Sequence, residues 1–160
     1  MTRRKKSYFV RIPGAPEPVS IELKRRVRFN EADPMAVMWH GRYPLVFEEA
    51  AEELGRVCGI SYSDYMEAGL MGPIVSIHID YHQSLYLAEE YTIRASLVWS
   101  EGARLNTEFR IFKQDGTVAT TGYTVQLFTD NATGEPCLVS PEMLEKCRRR
   151  WLAGEFHCQN

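Results

Sequence analysis

The chain has no long apolar run, no closely paired cysteines and almost no net charge, and each absence removes a class of function. No stretch approaches the roughly 20 apolar residues that a membrane-spanning helix needs. The basic start, Arg3-Arg4-Lys5-Lys6, runs into Ser7-Tyr8-Phe9-Val10-Arg11-Ile12-Pro13 rather than an apolar segment, so no secretory signal is expected. The four cysteines, Cys58, Cys137, Cys147 and Cys158, form no CxxC pair, so reduced thiols and a cytoplasmic location are expected. A net charge of −2 gives no reason to expect a nucleic-acid partner. GxSxG, GxGxxG, GxxxxGK[ST] and HExxH are all missing, which weakens serine-hydrolase, nucleotide-binding and zinc-protease readings.

What is present fits one domain of ordinary composition, with 160 residues, 44% of them hydrophobic and 25% charged. Residues 1–18 read as a basic arm and a Pro-rich linker, 19–155 as the folded domain and 156–160 as a tail. The cluster Arg3 to Lys6 is expected to be a solvated terminus, and 7–12 form a patch able to pair as a strand. From Ile21, the residues Ile21, Leu23, Val27 and Phe29 alternate with Glu22, Lys24, Arg26 and Arg28 as a half-buried strand. A helix is expected over 44–58, with Pro44 in its first turn and Gly59 at its stop. Its apolar stripe is Phe47, Ala50, Ala51, Leu54, Val57 and Cys58, and Glu49, Glu52 and Glu53 lie off it. A short helix over 61–68, four strands over 74–81, 91–100, 105–113 and 118–129, and a last helix from Pro141 to about Leu152 follow. Short turns at Glu101-Gly102-Ala103 and Gln114-Asp115-Gly116 suit antiparallel hairpins. One apolar helix among such strands predicts an α+β domain whose sheet curls round that helix.

The stretch from Asp33 to Tyr43 concentrates the chemistry. Asp33 precedes His40 by seven residues, and the central helix begins directly afterwards. A carboxylate beside the free N–H groups of a helix start can act as nucleophile or general base while those amides stabilise an oxyanion. Asp before Pro also commonly caps a turn, so residue types alone leave both readings open. A second cluster, His78, Asp80 and His82, alternates along one strand face. Neighbours on such a face stand about 7 Å apart and point in parallel, which suits a polar surface better than three ligands of one metal. No metal and no cofactor are expected.

The run Arg28-Phe29-Asn30-Glu31-Ala32-Asp33-Pro34-Met35-Ala36-Val37-Met38-Trp39-His40-Gly41-Arg42-Tyr43, continued by Phe47-Glu48, resembles the signature of the 4-hydroxybenzoyl-CoA thioesterase family. Weaker matches follow at Tyr81, Asp115-Gly116, Thr121-Gly122 and Ser140-Pro141. The likeness covers roughly residues 20 to 150. It implies a hotdog fold, in which a five-stranded antiparallel sheet wraps one central helix, assembled as a homodimer or homotetramer. The implied activity is hydrolysis of an acyl-CoA thioester without a cofactor. Asp33 matches the catalytic carboxylate, and the amides near His40 and Gly41 match the oxyanion site. His40 matches the histidine of the short-chain, Tol-Pal-associated branch, where it positions substrate or water, and Glu48 matches the family's helix glutamate, a third candidate catalytic residue or a hydrogen-bonding group at the buried edge. Met38, Trp39, Gly41, Tyr43 and Phe47 would contact substrate, and Arg42, Arg94, Arg104 and Arg110 are candidates for the CoA phosphates. The chain departs from the pattern at Ala32, Trp39, Arg42 and the run Tyr81-His82-Gln83-Ser84. These changes touch the pocket wall and leave the acyl group open. Two other readings keep the fold: a hydratase or dehydratase acting on enoyl-CoA, and a non-catalytic acyl-binding or scaffold protein.

Overall fold

The structure is a computed structural model that describes residues 7–156; the basic cluster Arg3 to Lys6 and Cys158 lie outside them. Its frame is a five-stranded antiparallel sheet built from β1 (Val19–Arg26), β3 (Ile74–Tyr81), β4 (Glu90–Val98), β5 (Arg104–Lys113) and β6 (Val118–Leu127), in the order β1-β4-β5-β6-β3. A small second sheet pairs β2 (Leu70–Met71) with β7 (Thr129–Asp130). Helices α1 (Tyr43–Cys58), α2 (Tyr62–Glu67) and α3 (Glu142–Leu152) complete the order.

Helix α1 forms where the apolar spacing places it, and Gly59 ends it in the left-handed conformation at φ 73°. It buries Tyr43, Val46, Phe47, Ala50, Leu54 and Cys58 against the sheet. Val57, expected on this stripe, is instead 48% exposed, because the last turn of α1 keeps only Leu54, Gly55 and Cys58 inside. On β4, Tyr91, Ile93, Ala95 and Leu97 face the core in strict alternation, as the sequence suggests. Phe47 stacks on Phe109 of β5 with ring centroids 4.2 Å apart, which sets α1 across the middle of the sheet. Burying such a ring contributes about 1.5–3 kcal/mol. The thiols of Cys58 and Cys147 hydrogen-bond each other where α1 ends on α3.

Two expectations near the start fail for local reasons. Strand β1 ends at Arg26; Val27 then exchanges hydrogen bonds with Glu89 and Ala88, and the chain turns through a 3-10 segment, Phe29–Glu31, leaving Phe29 87% exposed. Residues 7–12 pair with no strand. They lie instead across the sheet: Ser7 Oγ and the N–H groups of Tyr8 and Phe9 all donate to Glu108 Oε1, at 2.5, 2.6 and 3.2 Å. Further along, the carbonyl of Glu17 accepts the indole N–H of Trp151 at 2.8 Å. Strand β3 is an outer strand of the sheet, with Ile74, Val75, Ile77 and Tyr81 44–55% exposed along it. Among the described residues, no helix is long and apolar enough to cross a membrane.

Candidate active site

The loop between β1 and α1 folds on its own aspartate. Asp33 Oδ1 accepts the N–H groups of Met35 at 2.8 Å and Val37 at 3.4 Å, while Asp33 N–H donates to the Val37 carbonyl at 2.8 Å. This tight turn needs a positive φ at Ala36, 61°, which a small residue tolerates better than a branched one. Oδ2 of Asp33 has no hydrogen-bond partner among the described residues, so one carboxylate oxygen holds the loop and the other is open. The cap reading of Asp33 therefore uses Oδ1 alone and leaves Oδ2 without a partner.

His40-Gly41-Arg42 form a 3-10 turn that runs directly into α1. The first N–H groups of such a turn have no acceptor inside it, and they belong to His40 and Gly41. Arg42 N–H is already spent on the Trp39 carbonyl at 2.9 Å. From the far side, Tyr81 Oη donates to the His40 carbonyl at 2.9 Å, and its ring meets that of Tyr43 edge-on at 4.9 Å. Burial raises the phenol pKa values of both tyrosines, so both stay protonated donors at neutral pH.

These groups surround a cavity of about 270 Å³ lined by Asp33, Val37, Met38, His40, Tyr43, Tyr81, His82, Gln83 and Ser84. Met38 is buried in its floor, held by its N–H on the Leu85 carbonyl at 2.7 Å. The wall from Tyr81 to Ser84 is the run whose departure from the family pattern the sequence exposes. Trp39 is half exposed and folds over Gly41, where a Cβ would meet the indole at 2.3–2.7 Å.

Glu48 and Phe47 lie in a neighbouring cavity. That space, about 300 Å³, runs along α1 beside the open β3 edge and is lined by Leu45, Phe47, Glu48, Ile74, Ile77, Phe109 and Gln126, among others. Burial raises the Glu48 pKa, with Glu52 adding to it. Sequence spacing could not separate the two spaces, because β3 residues from another part of the chain line each of them, Tyr81 the first and Ile74 and Ile77 the second. A separate cleft, about 700 Å³, sits at the sheet rim among Lys24, Arg25, Arg26, Arg28 and Lys113 and contains neither Asp33 nor His40. Of the arginines expected at CoA phosphates, Arg94 is engaged by Glu22, Arg104 by Asn106 and Arg42 by the Asn30 carbonyl.

Two members of the strand cluster lean together and the third turns to another strand. His78 Nε2 pairs with Asp80 Oδ1 at 3.1 Å, whereas His82 Nε2 contacts Thr121 Oγ1 at 2.8 Å.

Comparison with known proteins bears on the family and the fold. YneP of Bacillus subtilis, provisionally named an acyl-CoA thioesterase, is 24% identical over 110 residues, covering 69% of this chain and 80% of that one. The solved DHNA-CoA thioesterase of Staphylococcus aureus superposes with TM-score 0.74 at 24% identity, covering 87% of this chain and 96% of that one. A second S. aureus protein, SAV2348, solved in complex with CoA, superposes with TM-score 0.76 at 16% identity, covering 91% and 89%. A profile of the thioesterase-like superfamily matches residues 27–147, three quarters of the chain and the whole of the site described above. The chain therefore belongs to the thioesterase-like superfamily, thioester hydrolases built on the hotdog fold.

Proposed function

We propose that this protein hydrolyses an acyl-CoA to the free acid and CoA, with Asp33 as nucleophile or as general base on water. The observation that carries the reading is that Asp33, whose Oδ2 has no partner among the described residues, lines the same cavity as the 3-10 turn that starts at His40. A thioester carbonyl is already activated, so a positioned oxygen and two amide donors are a sufficient kit. The amides of His40 and Gly41 bind the developing oxyanion. The His40 side chain, exposed at the mouth, orients substrate or water. Trp39, Tyr43 and Met38 contact the thioester end, and the acyl group extends into the apolar cavity beside Phe47. Glu48, at the edge of that cavity, is a hydrogen-bonding group of its wall. The names of YneP and of the S. aureus DHNA-CoA thioesterase support a CoA thioester as the substrate class.

The protein works as a homodimer or homotetramer in this reading. The exposed apolar edge of β3 supports it, since an unpaired, apolar outer strand invites a second copy. That copy would pack beside both cavities, since β3 lines one with Tyr81 and the other with Ile74 and Ile77. Sedimentation of a monomer at micromolar concentration would refute the assembly.

The decisive experiment is thiol release from a panel of short, branched, long and aromatic acyl-CoAs, run on wild type and Asp33→Asn. Asn keeps an acceptor for Met35 and Val37 N–H, so the loop survives while the carboxylate is lost. A drop in kcat on the order of a hundredfold or more is expected. Full turnover by Asp33→Asn, or hydration of crotonyl-CoA in place of thiol release, would overturn the proposal.

A further inference from the structure

We infer that His82 is a second working group of the Asp33 cavity, fixed in one tautomer by a hydrogen-bond chain that passes through Thr121 and Tyr8 to Asp80. The inference rests on the thioesterase reading for its chemistry, and on atom-by-atom bookkeeping of donors for its geometry.

The register of β3 and β6 defines two faces. Tyr81, Ile79 and Ile77 lie opposite Thr120, Gly122 and Thr124 on the face turned to α1, while Asp80 and His78 lie opposite Thr121 and Tyr123 on the outer face. His82, just past the end of β3, lines the Asp33 cavity yet reaches Thr121. It is the point where the cavity and the outer face meet.

The outer partner of Thr121 is the N-terminal arm. Tyr8 Oη contacts Thr121 Oγ1 at 2.7 Å and donates to Asp80 Oδ2 at 2.5 Å. A carboxylate only accepts, so the single Tyr8 proton is committed to Asp80. Tyr8 Oη must then accept from the Thr121 hydroxyl. With that proton spent, Thr121 Oγ1 can only accept from His82, so His82 carries its hydrogen on Nε2. Nδ1 of the neutral ring is left as an acceptor. Burial, with the hydrogen bond to Asp80 second, pushes the Tyr8 pKa up to about 12, so the phenol keeps its proton throughout the working range.

An imidazole held this way accepts a hydrogen bond from the water that attacks the thioester or its acyl-enzyme, beside Asp33. Tyr8, Thr121 and Asp80 are positioning residues that act through the ring. Among the described residues, the titratable groups around the chain include Asp33 and His40 from the loop, Tyr43 from α1, Tyr81 from β3, and His78, Tyr123, Glu108 and Arg110 on the outer face. The arm does not depend on the chain for its place, because Glu108 anchors its backbone and the Tyr8 ring packs 5.1 Å from Tyr123 and 5.5 Å from His78. Deleting one oxygen from Tyr8 therefore cuts the chain with the arm still docked.

The test uses the full chain with Tyr8→Phe and, from the sheet side, Thr121→Val, each first checked for wild-type melting. Imidazole ¹⁵N spectra of unliganded protein should show Nε2–H for His82 in wild type and a mixture of tautomers in both variants. With acyl-CoA, kcat should fall on the order of tenfold, the scale on which outer partners of an orienting hydrogen bond act, with KM unchanged and the pH profile of kcat displaced. His82 with the same Nε2–H signal in both variants overturns the chain, as does an unchanged kcat profile. If wild type releases no thiol from any acyl-CoA, the thioesterase reading fails by itself. The spectra of the unliganded protein then still decide whether Asp80 sets the tautomer.

Discussion

The ring of Phe47 rests against the backbone of Gly122. A Cβ at Gly122 would come within 2.7 Å of Phe47 Cε2 and 2.3 Å of the His78 carbonyl oxygen. The helix and two strands close on one another only because that carbon is missing. Gly122→Ala should lose roughly 1–3 kcal/mol of stability, the cost of overpacking a tight core. Adding Phe47→Leu should recover only part of it, since the His78 carbonyl stays in the way. Urea unfolding of the single and double variants measures both.

Arg148 is a buried cation whose four Nη hydrogens are all used. Nη1 donates to Ser140 Oγ and Glu145 at 2.7 Å each, and Nη2 to the carbonyls of Ser100 and Gly102 at 2.7 and 2.6 Å. Arg148→Met would leave two carbonyls without a donor where α3 meets the β4–β5 turn. A loss of about 3–5 kcal/mol is expected from breaking such a buried network. Calorimetric melting that moves by less than a degree would contradict it.

Glu48 has a raised pKa in the folded chain because burial disfavours its charge. The folded state therefore binds a proton more tightly than the unfolded one, and stability falls as pH rises from the ordinary glutamate range through the raised value. Below that window the carboxyl is neutral in both states and the penalty is absent. Glu48→Gln should therefore melt higher than wild type at pH 7.5 and together with it at pH 4. A constant difference across that range would point to a cause other than charge.

Gly41 lies under the Trp39 indole, so Gly41→Ala forces the ring aside. Because Trp39 is 47% exposed, the displacement should cost less than about 1 kcal/mol of stability. Its effect should fall on substrate handling instead, as a raised KM for acyl-CoA in the thiol-release assay.

The residues that sequence reading places well are those whose environment is local. Pro44, the apolar spacing from Phe47 to Cys58 and Gly59 delimit α1 within a residue, and Ile74 and Tyr81 bound β3 as expected. Asp33 and His40 are legible because one short loop carries both to the same cavity. Val57 and Phe29 are misplaced by periodicity, which extends a pattern past the point where the last helical turn or a 3-10 turn redirects the chain. The separation of Glu48 from Asp33, the wall at His82 and the contact of Tyr8 with Asp80 join positions far apart in the chain. Local pattern carries no trace of pairings across 72 or 113 residues, such as those of Tyr8 with Asp80 and Thr121.

The Glu108 carboxylate gathers three donors from residues 7–9, and Glu17 ties the other end of the same segment to Trp151. The domain boundary drawn at residue 19 from composition would cut both ties. A fragment trimmed there would bare Glu108, Thr121 and Tyr123 to solvent, and a purification tag fused ahead of Ser7 would hang from the strap itself. Expression for functional work should therefore keep residues 7–18 and carry any tag at the other terminus.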